Sequence, residues 1–157
     1  MVIKNIFGES IEIPFESLDG IHLKGYSFHR CPLENMSICN TFIQDCDFRN
    51  ATMNHMLMDG STIENSKFIL MEVYDSSFVK CNLQNQYITS CKFVNVDFTG
   101  ADFRDALLSH NEFVNCNFSG ANLMCQDIVE CRFENTIYDD NTCWHGKSDN
   151  VQFCGTR

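Results

Sequence analysis

The sequence predicts an all-β solenoid in which four short repeats close each coil. Three observations predict it. From Phe28 to Tyr138, 23 positions spaced five residues apart are all large and apolar, and the phase never slips. Two residues before most of these centres stands a small residue, among them Cys31, Cys46, Ala51, Ser61, Ser66, Cys81, Cys91, Ala101, Ala106, Cys116, Ala121 and Cys131. Seven positions depart from that rule: Tyr26, Met36, Met56, Met71, Gln86, Asn111 and Gln126. Third, like residues recur at twenty-residue intervals: Gly60, Gly100 and Gly120 at one turn position, and Asn95, Asn115 and Asn135 at another.

A period of five suits neither common element. On an α-helix successive centres would spiral over all faces. On a straight strand an odd step alternates them between faces. The chain must therefore bend once per repeat. The centre and the residue two before it point inward, and the remaining residues turn the corner. Glycine and asparagine suit such corners because they tolerate positive φ.

Columns decide how many repeats close a coil. With four, Phe28, Phe48 and Phe68 stack in one ladder, Phe78, Phe98 and Phe118 in a second, continued by Tyr138, and Phe93, Phe113 and Phe133 in a third. Glu72, Lys92, Glu112 and Arg132 then form a ladder of alternating charge, favourable between neighbouring strands. A three-repeat coil breaks these columns. About six coils at strand spacing make a rod roughly 25–30 Å long.

The repeats resemble the pentapeptide-repeat family, whose motif is Ala-(Asp/Asn)-(Leu/Phe)-X-X. It stands here as Ala101-Asp102-Phe103-Arg104-Asp105 and Ala121-Asn122-Leu123-Met124-Cys125. The closing stretch Ile137-Tyr138-Asp139-Asp140-Asn141-Thr142-Cys143-Trp144 is similar to the way many members end. The resemblance implies a right-handed quadrilateral β-helix. The spacing predicts the coil but not its hand.

Three segments follow. Residues 1–25 keep the phase weakly and read as an N-terminal cap with an edge strand at Ile11, Ile13 and Phe15 and a degenerate first coil. Residues 26–138 are the repeat. Residues 139–157 lose it and read as a C-terminal cap, with Trp144 and Phe153 as apolar contacts. Open solenoid ends offer unpaired backbone, so caps are expected.

Composition bounds the function. The chain has 157 residues, 44% hydrophobic and 20% charged, with a formal net charge of −10. The acidic balance argues against direct nucleic-acid binding, which needs a basic surface. The first ten residues contain no signal-peptide pattern, and no run is long enough to span a membrane. Six of the ten cysteines, Cys31, Cys46, Cys81, Cys91, Cys116 and Cys131, fall on inward small positions, and no two are twenty apart. They read as buried free thiols, which predicts a cytoplasmic location.

Catalysis needs converging groups. His22, His29, His55, His110 and His145 fall on different faces or ends. Cys143, His145 and Cys154 match no zinc spacing. Asp102–Asp105 and Asp139–Asp140 occupy exposed turns. The sequence therefore predicts no enzyme, no metal and no cofactor. Its candidate interface is an apolar stretch on two neighbouring faces: Ile69, Leu70, Tyr87, Leu107 and Val129 on one, and Tyr74, Val94 and Val114 on the next. The expected function is a non-catalytic scaffold that binds an unidentified protein partner or itself as a homodimer. The resemblance also admits a DNA mimic that binds gyrase, as in the quinolone-resistance members, although the acids read as dispersed over all faces. A bacterial effector or immunity factor is a third reading.

Overall fold

The computed structural model describes residues 1–144 and the backbone of 152–154. Its elements are all short strands, and no described residue is helical. The chain winds into a coil with four faces. Face 1 begins with strands His22–Lys24, Phe42–Gln44 and Thr62–Glu64, and single pairings at Asn82, Asp102 and Asn122 extend it. Face 2 pairs Ser27 with Asp47 and Asp47 with Lys67. It then becomes a sheet of Phe68–Ile69, Tyr87–Thr89, Leu107–Ser109 and Asp127–Val129. Face 3 is a seven-stranded sheet running from Pro32–Glu34 to Gln152–Cys154. Face 4 has single pairings only, from Ser37–Leu57 to Asn117–Ile137.

Pairing along the rod is parallel, and partners are twenty residues apart: Phe93 with Phe113, Tyr87 with Leu107, Asp97 with Asn117. Four repeats therefore close one coil. One pairing departs from this rule. Asn122 pairs with Cys143, and the added residue lies in the turn from Asp139 to Thr142. There Asp139 Oδ1 accepts the N–H of Gly120 at 2.9 Å and of Asn141 at 3.0 Å.

The bend has a definite cause. Every fifth residue from Gly20 to Glu130 and Asn135, Cys125 excepted, has a positive φ. Gly20, Gly60, Gly100 and Gly120 meet this at no steric cost, while Leu70, Lys80 and Glu130 adopt φ of 56°, 56° and 50° despite their side chains. The left-handed turn points the corner N–H along the rod. It donates to a carbonyl of the next coil nineteen residues on: Asn40 to Asp59 at 2.8 Å, Gly60 to Val79 at 2.8 Å, Lys80 to Thr99 at 2.9 Å. Asn95 and Asn115 add a side-chain ladder at one corner, Asn115 Nδ2 donating to Asn95 Oδ1 at 3.1 Å and Asn95 Nδ2 to Asp75 Oδ1 at 2.8 Å.

At most positions where an Asp or Asn stands just before the centre, the coils meet in single pairings. In six repeats an Asp or Asn there accepts the N–H two residues on: Asp47, Asn82, Asp97, Asp102, Asn117 and Asn122, at 2.9–3.1 Å. That side chain takes an amide that a strand would commit to the coil below. Face 3 has Thr52, Glu72, Lys92, Glu112 and Arg132 at this position and forms an unbroken sheet. The predicted charge ladder stands there in register. Its cation–anion geometry differs, because Arg132 Nη2 turns to Glu134 Oε2 at 2.5 Å within its own strand.

Inside, the ladder positions from Phe28 to Phe133 are buried, and Tyr138 is half-buried. Ile13, Leu18 and Leu23 are buried as well, so the inward step already operates in the N-terminal segment. Phe28 and Phe48 stack at 4.9 Å, Phe93 and Phe113 at 5.1 Å, Phe98 and Phe118 at 5.1 Å, and Phe113 and Phe133 at 4.8 Å. The coil spacing matches the separation that stacked rings prefer. In the C-terminal half, the columns of faces 3 and 4 also meet edge-on, Phe93 with Phe98 at 5.4 Å and Phe113 with Phe118 at 5.3 Å.

The seven exceptions to the small-residue rule resolve physically. Met56 and Met71 are buried and fill volume; Tyr26 and Met36 are half-buried near the first coil. Gln86 and Asn111 are buried polar groups with a bonding role. Asn111 Oδ1 accepts the Cys91 N–H at 2.9 Å, and Asn111 Nδ2 donates to the Ile88 carbonyl at 2.7 Å. Gln86 Oε1 accepts the Ser66 N–H at 3.3 Å. Ser61, Ser66 and Ser76 likewise cap the amides of Thr41, Cys46 and Met56 one coil below. Gln126 is exposed, and Cys125 takes the inward place. That repeat lacks the left-handed corner, and Gln126 instead of Asp127 donates to the Ala106 carbonyl.

The N-terminal segment is a hairpin. Val2–Lys4 runs antiparallel to Ser10–Glu12, with Ile3 opposite Ile11, and Ile3 packs toward Leu18, Leu23 and Leu33 at the open end. At the other end, Trp144 meets Phe133 edge-on at 5.6 Å and Tyr138 at 5.7 Å. The side chain of Phe153 lies outside the described residues.

Asn111→Ala removes one acceptor and one donor and leaves the buried Cys91 N–H and Ile88 carbonyl without partners. Chemical denaturation followed by circular dichroism should show a loss of about 1–3 kcal/mol. An unchanged unfolding midpoint would contradict the capping role.

Candidate interaction surface

A rod filled with side chains leaves its outer faces to do any binding. On face 2 the pairing of Tyr87 with Leu107 places two large apolar side chains side by side, and Tyr87 is 64% exposed. Ile69 pairs with Thr89, and Ser109 pairs with Val129, so two hydroxyl residues separate Ile69 from Val129. The apolar stack predicted there is accordingly shorter, made of Ile69, Leu70, Tyr87 and Leu107. Leu70, 54% exposed, stands on the corner between faces 2 and 3. On face 3, Tyr74, Val94 and Val114 form an unbroken half-buried column. Tyr74 is tied down, its hydroxyl donating to Glu72 Oε2 at 2.9 Å.

Acids stand on every face, as the sequence predicts, but only on face 2 do cations balance them. Face 2 holds Arg30, Arg49 and Lys67 against Asp47, Asp127 and Glu130. Face 4 holds Asp19, Asp59, Asp97 and Asp139 against Lys80. The difference needs the twenty-residue register to be seen. Several of these carboxylates also hold the coil together. Asp59 Oδ1 accepts Ser77 Oγ at 2.5 Å and the Val79 N–H at 3.0 Å; Asp19 Oδ1 accepts Ser37 Oγ and the Cys39 N–H, both at 2.7 Å. Partial burial pushes Asp47 and Asp102 up, but the guanidinium groups of Arg49 and Arg104, each within 2.6 Å, outweigh it. Both carboxyls sit below their usual range.

The sequence reading missed the exposed apolar residues of the N-terminal hairpin. Ile6 and Phe7 at its tip are 67% and 65% exposed, and the Phe7 ring lies 5.3 Å from Arg30 Cζ. The signal available was Gly8, whose φ of 82° closes the hairpin.

The histidines are scattered. His22 stacks on Phe42 at 4.7 Å, and His110 Nδ1 pairs with Glu130 Oε2 at 3.0 Å. Among the described residues no three His, Cys, Asp or Glu side chains gather as metal ligands. Cys143 is exposed, while His145 and the Cys154 side chain lie outside the described residues. A shallow groove of about 230 Å³ crosses face 1, lined by Thr62, Glu64, Asn82 and Gln84, without a nucleophile beside a base.

These features define a four-sided parallel β-solenoid with a filled core. The chain carries pentapeptide repeats: the family model of that description matches in eight copies over residues 74–105 and 101–137. No curated protein matches the sequence. Solved structures similar to it include a pentapeptide-repeat protein, Rfr23, from the cyanobacterium Cyanothece 51142. That match has 14% identity and a TM-score of 0.32 over 80% of this chain and 88% of that one. A structure of QnrB1, a plasmid-mediated fluoroquinolone resistance protein, matches at 13% identity and a TM-score of 0.34, over 92% of this chain and 87% of that one. HetL, a pentapeptide-repeat protein of Nostoc involved in heterocyst differentiation regulation, matches at 12% identity and a TM-score of 0.23, over 81% and 65%.

The inward cysteines are buried free thiols. Burial pushes Cys81, Cys116 and Cys125 up to about 12 and Cys91 to about 11, from an ordinary 9.0. In the unfolded chain these thiols ionise near 9.0. Below that pH these thiols are protonated in both states and their contribution to stability is constant; above it the unfolded state loses protons first, so stability falls as pH rises toward 11–12. Unfolding midpoints should therefore be flat from about pH 6 to about pH 9, above the carboxylate range, and drop between about pH 9 and 11. Thiol titration at neutral pH should modify the exposed Cys143 and spare these four until denaturant is added. Rapid labelling of Cys91 or Cys116 in the folded protein would contradict the burial.

Proposed function

We propose that the chain is a non-catalytic scaffold that presents face 2 to a protein partner. The observation that supports this most is the exposed Tyr87 and Leu70 beside half-buried Leu107 and Ile69, on the charge-balanced face of a chain whose net charge is −10. Tyrosine is a common interface anchor because it buries a large rigid area at low entropic cost. A neutral face also lets a partner approach without crossing the acidic field of the rest of the rod. DNA mimicry would draw on the acids of face 4 instead. Asp19 and Asp59 there are already engaged with backbone amides, which favours face 2 as the binding surface.

Tyr87→Lys combined with Leu107→Glu changes only outward residues, so the fold should survive. Immobilised wild-type protein should retain a specific partner that the double variant binds at least about 30-fold more weakly, or about 2 kcal/mol. Equal retention by both would overturn the assignment to face 2.

A further inference from the structure

We infer that face 2 is self-complementary and that a second copy of this chain docks on it with its rod reversed. The inference rests on the reading of face 2 as an interaction surface and adds the partner and its orientation. Along the rod the face changes character in order. The N-terminal coils present Arg30, Arg49 and Lys67. The middle presents Ile69, Leu70, Tyr87 and Leu107. The last coil presents Asp127 and Glu130. Asp47, the one acid in the N-terminal part, is already bound to Arg49 at 2.6 Å.

A surface with cations at one end and anions at the other is complementary in charge to itself turned end for end. A two-fold axis lying across the face, between the coils of Lys67 and Tyr87, produces that arrangement. It preserves the rows of the face and reverses the order of the coils. Arg30 then meets the partner's Glu130 in the same corner row, Tyr87 lies over the partner's Lys67, and Leu107 lies over the partner's Asp47 with its bound Arg49. Parallel docking would instead set like charges together at both ends. Face 4, with aspartates along its length, repels its copy in either direction. Two chains of charge −10 can meet closely only where the local charge is balanced.

Neither terminal charge is withdrawn from the surface. Arg30 is exposed, its guanidinium over the Phe7 ring, and the Glu130 side chain is 68% exposed beside His110. Six coils give a face about 29 Å long and four residues wide. Such an area sits at the low end for specific interfaces, so the dimer exchanges with monomer at micromolar concentrations.

Sedimentation equilibrium from about 1 µM to about 1 mM tests this, with circular dichroism confirming that each variant is folded. The expected wild-type result is a monomer–dimer equilibrium that Tyr87→Lys with Leu107→Glu abolishes. Arg30→Glu and Glu130→Arg should each weaken the dimer by at least about tenfold, since the two-fold axis repeats every clash, and the charge-swapped double variant should recover to within about threefold. A wild-type chain monomeric throughout would overturn the self-docking. If the Tyr87/Leu107 variant then still loses a foreign partner, face 2 stands as an interaction surface. A dimer indifferent to Tyr87→Lys with Leu107→Glu overturns the assignment of self-docking to face 2. Failure of the swapped variant to recover overturns the reversed orientation.

Discussion

The left-handed corner residue is the constraint on which the rest of the structure depends. One residue in five turns its amide along the rod and donates it to the next coil, as Asn40, Gly60 and Lys80 do. That single conformation bends the chain, sets the coil spacing and returns the same face every twenty residues. The apolar centres point inward because of it, and stacked rings such as Phe93 and Phe113 follow from the spacing it imposes. Where it fails, at Cys125, the local order changes too: Cys125 turns inward, Gln126 turns out, and the backbone bond to Ala106 moves by one residue. The strain at Leu70 and Glu130 shows that the coil overrides local preference, since neither residue favours positive φ on its own.

Much of the fold was legible in the sequence, because the inward period and the column period are both written in residue type. The phenylalanine ladders, the four-repeat coil and the buried cysteines needed only counting. Gln86 and Asn111 were read as exceptions because size was the criterion. Their role as amide caps appears only when the coil below is placed under them. The division of faces into sheets and single pairings was also hidden. It depends in part on whether Asp or Asn precedes the centre, a signal visible at Asp97 and Asn117 but without meaning until the competing backbone bond is known. The N-terminal hairpin was read as a single edge strand, since alternation at Ile11 and Ile13 does not reveal that Val2–Lys4 folds back on it.

The candidate surface was legible in part. Tyr87 and Leu107 were found by their spacing and stand in register. Val129 was joined to them on paper but is separated from Ile69 by Thr89 and Ser109. The charge balance of each face was missed for a physical reason: acids and bases spread along a chain need not pair off evenly around a coil. A solenoid sorts residues by position modulo its coil length, so a face can be neutral while its neighbour is acidic. An architecture with a filled interior confines recognition to such sorted surfaces, and the sequence of residues along one face becomes the binding pattern.

The central claim is that twenty residues make one coil, and deletion of a coil tests it most directly. Removing residues 81–100 joins Lys80 to Ala101 and preserves every column, whereas removing residues 81–99 shifts all later residues by one and turns the inward side chains out. The account predicts that the twenty-residue deletion folds cooperatively with a β-type circular dichroism spectrum, and that the nineteen-residue deletion does not. Equal folding of the two would contradict it.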